Sequence, residues 1–166
     1  MKILVLSDTH GDTDAIRLAL AAESPDLLVH LGDCCGDVTY ALIGEPPVAL
    51  LQVRGNCDYG VQMPTELEPE LGGKRFFLLH GHTRDAKNGD SAMLAAAQAR
   101  KAEVVLYGHT HVPSVERKEG VWLVNPGSAR RRAVFGRGAT YAVLEIDGDR
   151  FSAGIQSLKT DDKAKK

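Results

Sequence analysis

The chain has 166 residues, 43% of them hydrophobic, so it has the length of one domain and can bury a core of ordinary size. Its 20 basic and 22 acidic side chains give a formal net charge of -2, which argues against sequence-independent binding to nucleic acid or to an anionic membrane surface. The first residues do not have the pattern of a signal peptide, and no run of about 18 apolar residues occurs, so we expect a soluble, cytoplasmic protein. The three cysteines lack the spacing of a disulfide framework, and we expect them to be reduced.

Short apolar runs alternate with amphipathic segments through the first two thirds of the chain. Five of these runs are almost entirely apolar, which is typical of strands that are buried on both faces. They cover residues 3–7, 27–31, 48–53, 76–79 and 104–107. After the first run, Asp12 or Thr13 can cap a helix whose apolar stripe ends before Pro25. Further helices are predicted over residues 38–43 and 90–101.

The final third of the chain changes to a β-rich pattern. Strands are predicted over residues 112–117, 121–125, 140–146 and 151–158. The sequence Asp147-Gly148-Asp149 predicts a hairpin turn between the last two. We find no internal repeat and no linker, so residues 1–158 are expected to form one domain. Residues 159–166 are strongly charged with almost nothing to bury, and we expect a disordered tail.

A polar segment follows each of the five apolar runs in the first part of the chain. These segments are Asp8-Thr9-His10, Gly32-Asp33, Gly55-Asn56, His80-Gly81-His82 and Gly108-His109-Thr110-His111. In open α/β sheets, ligands bind outside the carboxyl ends of the strands, so residues that are remote in sequence become neighbours there. Side chains two residues apart in an extended segment share one face and can hold one ion. This spacing joins Asp8 to His10 and His109 to His111.

The polar segments supply enough carboxylate, amide and imidazole ligands for two divalent ions, and Asp33 is suited to bridge both. Such a pair of ions acidifies a water, orients a phosphate and stabilises both the attacking and the leaving oxygens of an in-line displacement. Mixed oxygen and imidazole ligation suits Mn²⁺, Fe or Zn²⁺, whereas thiolate-rich zinc sites need cysteines that these segments lack.

The ordered set D-x-H, G-D, G-N, H-G-H and G-H-x-H resembles the calcineurin-like metallophosphoesterase superfamily between Asp8 and His111. The short chain, the sequence Gly55-Asn56-Cys57-Asp58 and the turn Asn125-Pro126-Gly127-Ser128 make it similar to the small YfcE-like phosphodiesterase branch, which also contains the retromer scaffold subunit. The resemblance implies an α/β fold, namely a two-sheet αββα sandwich with helices on the outer faces. It also implies that the Asn125 turn lies beside the metal site.

The resemblance implies seven metal ligands. Asp8, His10 and His111 would hold the first ion, Asn56, His80 and His109 the second, and Asp33 would bridge the two. Of these, Asp33, Asn56 and His109 are the predicted catalytic residues. Hydrolysis would proceed by in-line attack of a metal-bridging hydroxide on a small-molecule or nucleotide-like phosphate ester. We assign two divalent ions, with Mn²⁺ as the choice and Ni²⁺, Fe or Zn²⁺ as alternatives, and leave open whether the protein forms a homo-oligomer.

Cys57 departs from the pattern of many larger relatives, in which a histidine thought to protonate the leaving group follows the asparagine. A thiol is a poor substitute, because its ordinary pKa is about 8.5 and it hydrogen-bonds weakly. We therefore expect a phosphodiesterase with weak or no activity on alkyl phosphate monoesters.

Several other polar residues have two possible roles. His82 could contact phosphate, orient His80, or make an ordinary loop hydrogen bond. Arg84 follows a predicted metal segment and is a candidate substrate contact. The run Arg130-Arg131-Arg132, with Arg137, could bind a phosphate or carboxylate, although most basic runs are solvated loops. His30, Cys34 and Cys35 fit better as packed residues than as ligands or redox groups.

Two classes of function are compatible with this sequence. The first is a metal-dependent phosphoesterase. The second is a scaffold or protein-interaction module with weak or no catalysis, as the resemblance to the retromer subunit allows, because a fold alone does not define an activity. The complete ligand set favours the enzyme, since a scaffold does not need seven correctly typed ligands.

Overall fold

The computed structural model describes residues 1–131 and 138–158. Within them the chain forms eleven strands, three α-helices and two short 3₁₀ turns. The strands are β1 (Lys2–Leu6), β2 (Leu27–His30), β3 (Ala49–Gln52), β4 (Glu66–Leu67), β5 (Glu70–Leu71), β6 (Lys74–Leu79), β7 (Val104–Leu106), β8 (Ser114–Lys118), β9 (Val121–Asn125), β10 (Thr140–Asp147) and β11 (Arg150–Ser157). The helices are α1 (Thr13–Glu23), α2 (Gly36–Ala41) and α3 (Ser91–Ala99), and the 3₁₀ turns cover His82–Arg84 and Ala86–Asn88.

The strands form two sheets, each with a parallel centre. In the first sheet the order is β11-β10-β1-β2-β3, with β1, β2 and β3 parallel and β10 and β11 antiparallel. In the second sheet the order is β4-β6-β7-β9-β8, with β6, β7 and β9 parallel, and β5 also pairs with β6. The parallel strands bring the loops at their carboxyl ends together at one end of the molecule.

Three apolar clusters show how the layers pack. The central cluster lies between the sheets and includes Ile3 and Val29 of the first sheet and Leu78 and Leu106 of the second. A second cluster packs α1 and α2 on the outer face of the first sheet, and a third packs α3 on the outer face of the second sheet. The protein is therefore the αββα sandwich that the sequence resemblance implied.

Helix α1 begins and ends where its sequence predicts. The Asp12 side chain accepts a hydrogen bond from the backbone N–H of Ala15 at 3.1 Å, as an N-cap residue does. At the other end, Ser24 adopts a left-handed conformation and its N–H donates to the Leu20 carbonyl at 2.8 Å. The helix thus stops directly before Pro25, which cannot continue the hydrogen-bond pattern.

Most predicted elements are confirmed, with one correction of burial and two additions. The run at 48–53 forms β3, but β3 is an edge strand with Leu50 37% exposed, so the prediction that it is covered on both faces is wrong. Strands β4 and β5 were not predicted, because two residues are too few to show a period. The predicted disordered tail at 159–166 lies outside the described residues, and so do Arg132 and Arg137 of the basic run. None of the described helices is long and apolar enough to cross a membrane.

The two C-terminal strands form the predicted hairpin. Asp147 of β10 pairs with Arg150 of β11, so Gly148 and Asp149 are the connecting residues. Gly148 has φ of 56°, a left-handed conformation that glycine adopts without steric cost. Register is thereby fixed from Thr140 to Asp147 along the hairpin.

The central cluster predicts where stability resides. Leu106 is fully buried between the sheets, so Leu106→Ala is expected to lower the free energy of unfolding by about 2–5 kcal/mol through lost burial and a residual cavity. Urea unfolding followed by circular dichroism measures this change. Leu18, 42% exposed on α1, is the matched control, and Leu18→Ala is expected to change stability by less than about 0.5 kcal/mol. Equal effects of the two substitutions would contradict this assignment.

Candidate metal centre

The loops that follow β1, β2, β6 and β7 are hydrogen-bonded to one another. The backbone N–H of Asp8 donates to the Gly32 carbonyl at 3.0 Å, and that of Gly108 donates to the His80 carbonyl at 3.0 Å. The two sheets are joined at this end because the N–H of His109 donates to Oδ2 of Asp8 at 3.1 Å. Residues separated by up to 101 positions in the chain thus become neighbours.

Asp8 is a fully buried carboxylate at the centre of this region. Its Oδ2 atom accepts hydrogen bonds from Oγ of Ser7 at 2.6 Å and from the His109 N–H. Its Oδ1 atom, in contrast, accepts no well-formed hydrogen bond from the described residues. Three imidazole Nε2 atoms surround Oδ1, those of His111 at 3.0 Å, His10 at 3.9 Å and His80 at 3.9 Å. A buried acceptor that lacks a donor and faces imidazole nitrogens is the arrangement that a cation would complete.

Asp33 spans two of the same imidazoles. Its Oδ1 atom accepts a hydrogen bond from the Cys57 N–H at 2.8 Å and lies 3.4 Å from Nε2 of His80. Its Oδ2 atom lies 3.9 Å from Nε2 of His10. One carboxylate oxygen thus faces each histidine, which is the arrangement that a bridging ligand needs.

His80 is held in the tautomer that a ligand requires. Its Nδ1 atom donates a hydrogen bond to the Leu31 carbonyl at 2.8 Å, so in the neutral ring the lone pair is on Nε2. The Nε2 atom lies 3.2 Å from Oδ1 of Asn56 and faces Asp33. A backbone carbonyl that orients an imidazole in this way is the usual outer support of a metal-binding histidine.

The pKa values of His109 and His111 shift in opposite directions. Burial and the nearby His80 lower the pKa of His109 to about 4, so this imidazole is neutral at pH 7 and its lone pair can bind a cation. Asp8, whose Oδ1 atom lies 3.0 Å from Nε2 of His111, raises the pKa of His111 above its ordinary value. Burial alone would raise the pKa of Asp8, but the interactions with His111, His80 and Ser7 outweigh it and keep the pKa low. Asp8 is therefore ionised.

Five predicted ligands adopt left-handed backbone conformations. The φ angles are 56° at Asp8, 46° at His10, 60° at Asp33, 68° at His109 and 59° at His111. Such conformations are uncommon for residues with a Cβ atom and cost about 1 to 3 kcal/mol each, so they persist only where the surroundings impose them. They cluster here at the residues whose side chains converge, which is typical of a functional site.

Two glycines allow the loops to approach closely. A Cβ atom on Gly55 would lie 2.1 Å from Oδ1 of Asp33, and one on Gly108 would lie 2.0 Å from Oγ of Ser7 and 2.9 Å from Oδ2 of Asp8. Both positions therefore require glycine, because a side chain would overlap Asp33 at position 55 and Ser7 and Asp8 at position 108.

Asp58 organises the loops and was not assigned a role from the sequence. Its Oδ2 atom accepts hydrogen bonds from the N–H groups of Asp33 at 2.9 Å and Gly55 at 2.7 Å, and its Oδ1 atom accepts one from the Cys35 N–H at 2.8 Å. Burial would raise the pKa of Asp58, but these hydrogen bonds outweigh it and lower the pKa below its ordinary value. The signal in the sequence was its place as the last residue of the segment Gly55-Asn56-Cys57-Asp58, which carries part of the family resemblance.

The Asn125 turn lies beside the centre, as the resemblance implied. The Asn125 side chain donates to the Gly108 carbonyl at 3.0 Å and to Oγ1 of Thr110 at 3.0 Å. The Ser128 hydroxyl donates to the Asp8 carbonyl at 2.8 Å. Gly127, the third residue of this turn, has a positive φ of 78°, which a type II turn requires at that position.

The other residues singled out from the sequence differ in their contacts. The His82 ring is 5.4 Å from that of His80, centroid to centroid, and its buried Nδ1 atom has no hydrogen-bond partner among the described residues. The Arg84 guanidinium forms a two-point ion pair with Glu66, at 2.8 and 3.2 Å, which occupies two of its donor groups. Cys57 is exposed, while Cys35 is buried against Asp58. His30 is fully buried, and burial lowers its pKa to about 4.

The donor set fits divalent ions. Potential ligand atoms lie within 4.8 Å of one another in three groups, which are Asp8, His10 and His111, then Asp8, Asp33 and His80, then His10, Asp33 and Cys57. In the described part of the chain, no lysine or arginine forms an ion pair with Asp8 or Asp33. Two buried carboxylates without a side-chain cation other than imidazole favour a bound metal.

Comparisons with known proteins agree with this chemistry. The model of the calcineurin-like phosphoesterase superfamily domain matches residues 1–149. The phosphodiesterase YfcE of Escherichia coli K12 is 28% identical, and the match covers 89% of this chain and 89% of the relative. A solved structure from Streptococcus pneumoniae TIGR4, described as a predicted phosphoesterase, is similar with a TM-score of 0.79 and 30% identity over 94% of this chain and 88% of that chain.

A second solved structure has a similar fold. The structure of Vps29 from Chaetomium thermophilum has a TM-score of 0.78 and 20% identity, and covers 97% of this chain and 90% of that chain. At this identity the likeness concerns the fold alone.

The Asp58 hydrogen bonds predict a structural role that depends on charge. Asp58→Asn is expected to lower the free energy of unfolding at pH 7 by about 1.5–3 kcal/mol, because a charged acceptor of several buried N–H groups is lost. Since the pKa of Asp58 is lower in the folded protein, its contribution is present above the unfolded pKa of about 3.9 and is lost as the pH falls through the folded value. The difference between parent and variant should therefore narrow below about pH 4.

Urea unfolding of both proteins across pH measures this difference directly. Glu145→Gln, at an exposed carboxylate of β10, is the matched control and is expected to change stability by less than about 0.5 kcal/mol. An Asp58→Asn variant as stable as the parent at pH 7 would refute the role assigned to Asp58.

Proposed function

Because the chain belongs to the calcineurin-like phosphoesterase superfamily, we propose that it is a dinuclear metal-dependent phosphodiesterase. The observation that carries this proposal is the convergence of Asp8, Asp33 and three histidines around one orphaned carboxylate oxygen. The relative YfcE is named a phosphodiesterase, which supports a preference for diesters over monoesters. The substrate is a small-molecule or nucleotide-like phosphate ester.

Each side chain of the centre has a defined task in this proposal. Asp8, His10 and His111 would hold one ion, and Asn56, His80 and His109 the other. Asp33 would bridge them, with one oxygen toward His10 and the other toward His80. When bound, a pair of divalent ions supplies the acidified water and the charge stabilisation that in-line attack on phosphorus requires. Mixed oxygen and imidazole ligands suit Mn²⁺, and Ni²⁺, Fe or Zn²⁺ are alternatives.

Rigid support of the ligands contributes to the same chemistry. The carbonyl of Leu31 fixes the ring of His80, and the hydrogen bond from the Cys57 N–H fixes the carboxylate of Asp33. Preorganised groups need little rearrangement during the reaction, which is the main source of electrostatic catalysis.

Cys57 limits the range of esters that the site cleaves well. Burial and the neighbouring Asp33 raise the pKa of the Cys57 thiol to about 11, so it is a much weaker acid than an imidazolium. Esters with a good leaving group need little protonation. Alkyl monoesters combine a poor leaving group with a second negative charge, so we expect them to react slowly.

A scaffold or protein-interaction module is the second candidate, and the fold similarity to Vps29 is the observation that favours it. Two features of this chain support the enzyme instead. The predicted ligand set is complete, with Asp33 present. In addition, five of its members adopt strained left-handed conformations, at a cost that a docking surface does not need.

The bridging carboxylate provides the direct test of the mechanism. Asp33→Asn removes the negative charge between the two ion positions and is expected to lower Mn²⁺-dependent hydrolysis of bis(p-nitrophenyl) phosphate by at least about 100-fold, with the fold retained. Steady-state kinetics, circular dichroism and metal analysis of the purified proteins measure the outcome, with Glu145→Gln as the control. If Asp33→Asn hydrolyses the diester as fast as the parent, the two-metal mechanism is wrong.

Substrate preference tests the role of Cys57. With added Mn²⁺, bis(p-nitrophenyl) phosphate should be cleaved faster than a simple alkyl phosphate monoester, and Cys57→Ala should leave diester hydrolysis largely intact because an aryl leaving group needs no acid. Initial rates for both substrates and both proteins give the comparison. A strong preference of the parent for the monoester would defeat this explanation.

A further inference from the structure

Arg130 is held next to the candidate metal centre by its backbone. Its N–H donates to the Ser128 hydroxyl at 3.3 Å, and that hydroxyl donates to the Asp8 carbonyl at 2.8 Å. The preceding residue, Ala129, donates its N–H to the Ser7 carbonyl at 3.0 Å. The base of the Arg130 side chain is therefore fixed relative to the strand end that carries Asp8.

The Arg130 side chain is half-buried and lines two clefts that flank the centre. One cleft has a volume of about 290 Å³, lies beside His111 and extends to Thr140 and Ser157. The other also has about 290 Å³ and lies beside His10. Arg130 thus lines two clefts, and a predicted metal ligand also lines each of them, His111 in the first and His10 in the second.

The two clefts differ in charge. The cleft beside His10 is lined by Asp12 and Asp14, and both pair with the Arg131 guanidinium, at 2.9 and 3.1 Å. Among the described residues, no carboxylate lines the cleft beside His111, which we call the basic cleft. Arg131 is therefore neutralised by its neighbours.

Arg130 has no comparable partner. No ion pair or side-chain hydrogen bond joins its guanidinium to any residue in the ranges 1–131 and 138–158. Among the described residues, Arg130 is therefore a positively charged residue of the basic cleft without an ion-pair partner, and the predicted ligand His111 lines the same cleft.

A guanidinium binds phosphate through two parallel hydrogen bonds, and it does so best where water is partly excluded. The ester that is cleaved would lie over the ligand cluster and carries a single negative charge, which two divalent ions already compensate. A second anionic group on the same substrate would extend beyond the ions and would need its own cation. The basic cleft supplies one.

We infer that Arg130 binds a second phosphate group of the substrate in the basic cleft. This inference rests on the proposed phosphodiesterase function and narrows its substrate class to diesters that carry a separate phosphate monoester, as in a nucleotide with phosphates on two positions. Arg130 determines specificity and does not contact the reacting atoms.

A matched pair of substrates isolates the second phosphate. Both are the 5′-(p-nitrophenyl phosphate) ester of thymidine, and only one carries a 3′-phosphate. With the Mn²⁺-loaded parent protein, kcat/KM is expected to be about tenfold or more higher for the substrate with the 3′-phosphate, the size of an effect expected for a hydrogen-bonded charge pair.

Variants then test whether Arg130 and the basic cleft cause the preference for the substrate with the 3′-phosphate. Arg130→Ala should abolish the preference and Arg130→Lys should retain part of it, because an ammonium lacks the planar fork of the guanidinium. Ser157→Asp should lower the preference by placing a negative charge in the basic cleft. The matched controls are Arg117→Ala, whose guanidinium lies over Trp122, and Ser152→Asp, an exposed position on the same strand as Ser157. Both controls should keep the preference of the parent.

Calorimetry provides a readout that does not depend on turnover. Thymidine 3′,5′-bisphosphate should bind the Mn²⁺-loaded parent about tenfold more tightly than thymidine 5′-phosphate, and Arg130→Ala should remove this difference. A parent without a preference in either assay, or an Arg130→Ala variant that loses the same factor on both substrates, would overturn the inference. If neither ester is hydrolysed, the proposed function fails, and the two binding constants still decide whether Arg130 recognises the second phosphate.

Discussion

Two buried carboxylates, Asp8 and Asp33, impose the constraint on which the rest of the site depends. Ionised groups in a protein interior are stable only when opposite charge or hydrogen-bond donors compensate them. Here the described surroundings provide imidazoles and backbone N–H groups but no lysine or arginine ion pair. The negative charge of Asp8 and Asp33 is therefore only partly compensated, and a bound cation would complete the compensation. An uncompensated charge would destabilise an ordinary core, but here it creates a candidate metal centre.

The architecture makes this arrangement possible by aligning parallel strands in both sheets. Asp8 follows β1, Asp33 follows β2, and His80, His109 and His111 follow β6 and β7, so each sheet contributes candidate ligands at the same end of the sandwich. Close approach of these loops depends on glycines at 55 and 108, where a side chain would overlap a carboxylate or its partner. The strain of the left-handed ligand residues is offset by the packed sheets beneath them, because a rigid core can hold loops in conformations that a free peptide rarely adopts.

A second set of residues holds the loops without reaching the centre. Asp58 gathers the N–H groups of the loops after β2 and β3, and Asn125 ties the loop after β7 to the turn after β9. Arg131 pairs with Asp12 and Asp14 and so fixes the chain next to Arg130. The two adjacent arginines differ in their contacts: within the described residues Arg131 pairs with carboxylates, whereas Arg130 lines two clefts without an ion-pair partner.

The sequence by itself determined most of the longer strands, the start of α1 near Asp12, the hairpin at Gly148 and the types of polar residue that follow each strand. These features depend on local periodicity and turn chemistry, which a linear sequence contains. Only the tertiary structure decided that β3 lies at an exposed edge, that Asp58 accepts hydrogen bonds from three loop N–H groups, and that Arg131 pairs with Asp12 and Asp14. Those outcomes depend on partners far apart in the chain, such as Arg131 and Asp12 at a separation of 119 residues, and such contacts exist only after the strands have taken their order in the sheets.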